Sequence, residues 1–185
     1  MTTTNELTKN YSGIFGNHVR LRNRNGVSIM TIPLKKPRAN PTANQLNARR
    51  KFQLAAHYAK NILQDPDKLA TYMAKSRNGL APYIMALTDY LKPPFVEQID
   101  ASRYQGNPGD KIGVTAIDDF ELTEVRIKIV DPGNAVIEQG PCVFDQLTGN
   151  YHYTATVQVS DISGVTIIAT ATDTPGHSAE LSVTL

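Results

Sequence analysis

The 185-residue chain has one cysteine, no tryptophan and no long apolar run. A single thiol, Cys142, excludes an internal disulfide and a cysteine-rich zinc site. No stretch approaches the ~18 consecutive apolar residues of a bilayer-spanning helix, so no membrane partner is expected. The opening "MTTTNELTKNYSGIFG" lacks the apolar core of a secretory signal. The chain therefore reads as cytoplasmic, or as part of a particle assembled inside the cell. Catalytic signatures are missing too: there is no G-x-S-x-G, P-loop, G-x-G-x-x-G, H-E-x-x-H or C-x-x-C. His18, His57, His152 and His177 fall in four different predicted elements, none with a second ligand at metal spacing. No enzyme and no cofactor are expected.

Acidic residues are scarce in the first half. Through Lys92 there are fifteen Lys and Arg against four acids, an excess of eleven positive charges. From Pro93 onward there are four bases against thirteen acids, an excess of nine negative charges. Such asymmetry speaks to partners, not to fold.

What is present gives an architecture. "HVRLRNRNGVSIMTI" places Arg20, Arg22 and Arg24 at alternate positions before Asn25-Gly26, a strong hairpin signal. A two-residue loop sets Arg24 opposite Val27, Arg22 opposite Ile29, Leu21 opposite Met30 and Val19 opposite Ile32. One face is then Val19, Leu21, Met30 and Ile32, which must pack into a core. The other carries Arg20, Arg22, Arg24, Val27 and Ile29. After a proline-rich connector, Thr42 and Gln45 form a capping box that opens a helix of roughly twenty residues. Its apolar stripe is Phe52, Ala55, Ala56, Tyr58, Ala59, Ile62 and Leu63; Arg49, Arg50, Gln53, His57 and Lys60 take the opposite face. Asp65-Pro66 caps and starts a second helix, which Asn78-Gly79 closes. A third follows from Pro82 to the Pro93-Pro94 pair.

Beyond Pro94 the period becomes two. "FVEQI", "KIGVTAI", "VRIKIV", "AVIEQ", "YHYTATVQV", "GVTIIATATD" and "AELSVTL" read as about seven short strands, the pattern of an all-β sandwich. The expected class is α+β in two domains. A polar tail covers 1–12, a basic hairpin-plus-three-helix domain 13–92, and an acidic β-sandwich 95–185.

"GVTIIATATDTPGHSAELSVTL" resembles the final hairpin of bacterial immunoglobulin-like domains, with Ala171, Asp173 and Gly176 in the A-x-D-x-x-G-N motif and His177 replacing Asn. "GDKIGVTAIDDFELTEVRIKI" resembles their preceding B–C strand pair. The resemblance covers roughly 95–185 and implies a sandwich used as a spacer, adhesion unit or virion decoration. The first half is similar to uncharacterised bacterial families with a hairpin followed by a Q-x-x-x-R-x-x-F helix, here Gln45, Arg49 and Phe52. That likeness implies no activity.

Asp118, Asp119 and Asp173 are candidate calcium ligands, because the usual sandwich topology brings the B–C corner and the F–G turn to one end. Their alternative use is to cap the amides of their own turns. The basic half offers a candidate interaction surface: Arg20, Arg22, Arg24, Val27 and Ile29, extended by Arg49 and Arg50. A solvated face, a protein interface and a phosphate-binding ribbon are the three readings. Mixed arginine and β-branched residues favour a protein over a nucleic acid. The expected role is a non-catalytic interaction or structural module, self-associating or part of a phage-like particle; the alternative is a nucleic-acid-binding protein.

Overall fold

The computed structural model describes residues 12–16, 18–24, 27–33, 40–76 and 80–185. The polar stretch 1–11, the Asn25-Gly26 turn, Lys35, Lys36 and Arg38 of the connector, and Asn78-Gly79 lie outside the described residues. The protein is a mixed α+β chain that divides into two compact units, Met1–Ala43 and Asn44–Leu185.

The first unit is an antiparallel sheet of β1 (Gly13–Phe15), β2 (Val19–Arg24) and β3 (Val27–Thr31), in that order. Leu21 faces Met30, Arg22 faces Ile29 and Arg24 faces Val27, the register that a two-residue loop imposes. Strand β1, too short to show a period, pairs Ile14 with Arg20 and Phe15 with Val19. Phe15, Val19, Leu21 and Met30 therefore share one side, and Ile14, Arg20, Arg22 and Ile29 the other. The apolar side does not become a core. None of the described residues of this sheet is buried, and Phe15, Met30 and Ile32 are 53%, 66% and 83% exposed.

The second unit begins with α1 (Ala43–Ile62), α2 (Pro66–Ala74) and α3 (Pro82–Leu91). Asp65 caps α2, accepting from the amides of Asp67 and Lys68 at 2.9 and 3.4 Å, with Pro66 at the first helical position. The core stripe of α1 starts later than its sequence suggests. Residues 43–54 are all exposed, Phe52 included, and burial begins at Ala55 and Ala59. Those alanines meet Tyr72 of α2, Ala86 and Leu87 of α3, and Phe120. Phe120 belongs to a strand-connecting loop. The helices thus fall in one compact unit with the strands, Asn44–Leu185.

Eight strands follow: β4 (Phe95–Asp100), β5 (Lys111–Ile117), β6 (Leu122–Val130), β7 (Val136–Pro141), β8 (Val143–Asp145), β9 (Asn150–Thr154), β10 (Thr166–Asp173) and β11 (Ser178–Thr184). They form two antiparallel four-stranded sheets, ordered β4-β5-β9-β8 and β11-β10-β6-β7. Alternate residues point inward: Ile112 and Val114 of β5, Val125, Ile127 and Ile129 of β6, and Ile167, Ala169 and Ala171 of β10 build one shared core. Two departures from the sequence pattern have local causes. Strand β8 has only three residues and pairs at one edge of its sheet. The expected strand 151–159 stops at Thr154 because Ala155 and Val159 turn to bond the loop before β5. There the Gly109 amide donates to the Ala155 carbonyl at 2.8 Å, and the Val159 amide to the Gly106 carbonyl at 2.7 Å. No helix among the described residues is long and apolar enough to cross a membrane.

Gly106 is essential to that loop pairing. It has φ +84°, and a Cβ there would stand 2.3 Å from the Val159 carbonyl oxygen. Gly106→Ala is expected to lower the unfolding free energy by roughly 2–4 kcal/mol, measured by chemical denaturation. A loss below about 0.5 kcal/mol would mean the loop pairing contributes little.

Candidate functional site

Two places concentrate chemistry-bearing side chains. The first is the arginine side of the β1-β2-β3 sheet. A strand period of two sets Arg20 and Arg22 on it, Arg24 shares their register position, and Ile14, Val27 and Ile29 stand between them. Val27 and Ile29 are 62% and 38% exposed. Alternating cations and apolar side chains on one pleated face suit a surface that is both acidic and apolar. Arg49 and Arg50, expected to extend this surface, are exposed on α1, which starts the second unit.

The second place is the end of the two sheets where the β5–β6 loop and the β10–β11 turn meet the helices. Tyr72 of α2 is fully buried, its ring stacked on Phe120 with centroids 4.4 Å apart. The Tyr72 hydroxyl donates to Asp89 Oδ2 of α3 at 2.6 Å. Its own oxygen lies 3.0 Å from the Tyr58 hydroxyl of α1. Since the Tyr72 proton is committed to Asp89, Tyr58 is the donor in that pair. Asp89 is 2% exposed, and its Oδ1 has no hydrogen-bond partner among the described residues. Burial pushes its carboxyl up to about 6, against the lowering effect of the Tyr72 hydroxyl; the Asp118 and Asp173 charges raise it further. Burial and the bond to Asp89 together push the Tyr72 phenol well above its usual range.

The three calcium candidates are engaged here one by one. Asp118 Oδ2 accepts from the amides of Phe120 and Glu121, each at 2.8 Å. Asp119 pairs with Lys92 at the end of α3. Asp173, 1% exposed, accepts from the His177 amide at 2.6 Å and lies 3.0 Å from His177 Nδ1. Among the described residues no three His, Cys, Asp or Glu side chains are placed to hold one ion. The surrounding contacts fasten helix to strand. Lys75 donates to the Phe120 carbonyl and to Glu121, both at 3.0 Å, and lies 4.3 Å over the Phe120 ring. Tyr90 meets the His177 ring edge-on at 4.7 Å.

The histidines stay apart. His57 is exposed beside Asn61, and His152 lies 3.5 Å from Asp145 on the other sheet. Cys142 is a free, partly buried thiol, pushed by burial up to about 12. Sequence reasoning missed Tyr58, Tyr72 and Asp89. One signal was available: in "PYIMALTDYL" Asp89 stands one turn after Ala86, on the buried face of its helix.

Two outcomes follow. Tyr72→Phe keeps the ring but strips Asp89 of its donor, and is expected to cost about 1–3 kcal/mol of stability in chemical denaturation at pH 7. Cys142 in the native protein is expected to react with a thiol-specific reagent at pH 8 at least about 100-fold more slowly than in the urea-unfolded chain. Equal rates would contradict the burial described. Compared with family models, with curated proteins and with solved structures, the chain gives no match.

Proposed function

We propose that the chain is a non-catalytic interaction module: an immunoglobulin-like sandwich whose chain also carries a small arginine-faced sheet for docking on a protein. The observation that carries this reading is the β1-β2-β3 sheet. It has no buried side chain among its described residues, yet it displays Val27 and Ile29 beside Arg20 and Arg22 on one side, and Phe15 and Met30 on the other. Three strands need a covered apolar face to be stable, and arginine with large apolar residues is the composition of interface cores.

The immunoglobulin-like part of the reading is supported by strand order. Lettered along the chain, β4-β5-β9-β8 has the order A-B-E-D, and β11-β10-β6-β7 has G-F-C with one further strand beside C. The buried Asp173 at the end of β10, before the turn to the last strand, agrees with the A-x-D-x-x-G motif. A sandwich of this kind serves as a spacer or second docking surface in an assembled, phage-like particle. The partner that fits the arginine face presents carboxylates among apolar side chains, on another protein or on a second copy of this chain.

The test uses the full chain in light scattering and in DNA-binding titrations from 50 to 200 mM salt. Self-association that weakens with salt, and is lost in the Arg20→Ala/Arg22→Ala/Arg24→Ala variant, is the expected result where the partner is a second copy. A monomer at low salt and high concentration removes the second copy. Three arginine–phosphate contacts would make DNA affinity fall about 40-fold over that salt range. A fall of that size, abolished by the triple variant, would replace this reading with a nucleic-acid-binding one.

A further inference from the structure

The Asp89 carboxyl ends a hydrogen-bonded chain through the Tyr72 and Tyr58 hydroxyls that links the three helices, yet its Oδ1 has no donor among the described residues. Five titratable groups face it: Tyr58 from α1, Tyr72 from α2, Asp118 from the β5–β6 loop, Asp173 from β10 and His177 from the turn that follows. Two of these are carboxylates, and Asp118 Oδ1 is likewise buried without a partner. Two lysines at this end of the sheets are engaged elsewhere, Lys75 with Glu121 and Lys92 with Asp119. When Asp89 is ionised, its Oδ1 charge is therefore buried with no donor among the described residues, and two further carboxylates oppose it against the single His177.

A proton has a route to it. With Asp89 ionised, Tyr58 donates to Tyr72 and Tyr72 donates to Asp89. Tyr58 also lines an open groove with His57, Asn61, Asp65 and Tyr90. A proton arriving at the Tyr58 oxygen from solvent lets the Tyr58 proton pass to Tyr72 and the Tyr72 proton pass to Asp89. All three O–H bonds then point the other way: Asp89 donates to Tyr72, Tyr72 to Tyr58, and Tyr58 to solvent. No proton is gained or lost beyond the one taken up.

We propose that Asp89 is a proton-operated latch: neutral, it holds the three helices firmly on the loop end of the sheets, and ionised, it loosens them. The sign follows from linkage. The folded carboxyl, at about 6, lies above its ordinary 3.8, so the docked state binds the proton more tightly than the open one. Docking is strongest at acid pH and weakens as pH rises through about 6.

The test is hydrogen exchange of the full-length protein, read on amides of α2 and α3 and corrected for intrinsic rates. Protection is expected to be about tenfold greater at pH 5 than at pH 7. Asp89→Asn should abolish that difference, whereas His177→Gln, which removes the imidazole that faces Asp89, should preserve it. Protection that does not change with pH, or an unchanged pH dependence in Asp89→Asn, overturns the latch. Should Asp89→Asn fail to fold, carboxyl NMR of the wild-type protein decides: a midpoint for Asp89 near 6 supports the latch, and one near 4 overturns it.

Discussion

The second unit is organised around Tyr72. Its ring is sealed between the helices and Phe120, and its hydroxyl sits between Tyr58 and Asp89. Three helices and a strand-connecting loop therefore meet at one side chain. Helix α2 has nine residues, too few to hold helical structure alone in water, so its stability comes from this packing. Ala55 and Ala59 are fully buried, and their small side chains let α1 approach closely. A larger residue at either site would push α1 away from Tyr72, and the polar chain ending at Asp89 would open with it.

This meeting point ties the helices to the strands that follow them in the chain. Pro93 and Pro94 do end α3, as the pyrrolidine ring requires, and the residue pattern changes period there. A change of period marks a change of element, not necessarily of domain. The apolar stripe of the helices is completed by Phe120, a residue in the sheet half of the sequence. Nothing local announces that pairing.

Signals that act over a few residues were legible. The Asp65-Pro66 cap, the span of α1, the hairpin register and the alternating core of β5, β6 and β10 all rest on interactions within one turn or one pair of strands. Features set by the surroundings were not. Strands β1 and β8 have three residues each, too few for a period of two to stand out. Phe52 matches the stripe of α1, yet the helix outruns the layer that would cover it. Asp89 is an acid on a helix, ordinarily a solvated residue, and its burial depends on Tyr72 and on the sheet end.

The acidic surplus of the second half also acquires a cause. Eight aspartates lie beyond Pro94. Seven accept backbone N–H groups of their own loops: Asp100, Asp110, Asp118, Asp131, Asp145, Asp161 and Asp173. A sandwich of short strands needs many tight turns, and aspartate closes a turn by accepting an amide of that turn, two or more residues on in six of these cases and earlier in the chain at Asp110. Much of the negative charge is thus a by-product of turn chemistry, spread over the loops instead of gathered on one face. The arginines of β2 differ in kind. Their spacing is the strand period itself, which collects them on a single side with Ile14 and Ile29. Charge asymmetry between the halves of a chain is weak evidence for a docking surface when local structure accounts for one of them. Alternation along a strand is stronger evidence, because it places like charges together where solubility alone would be served by scattering them.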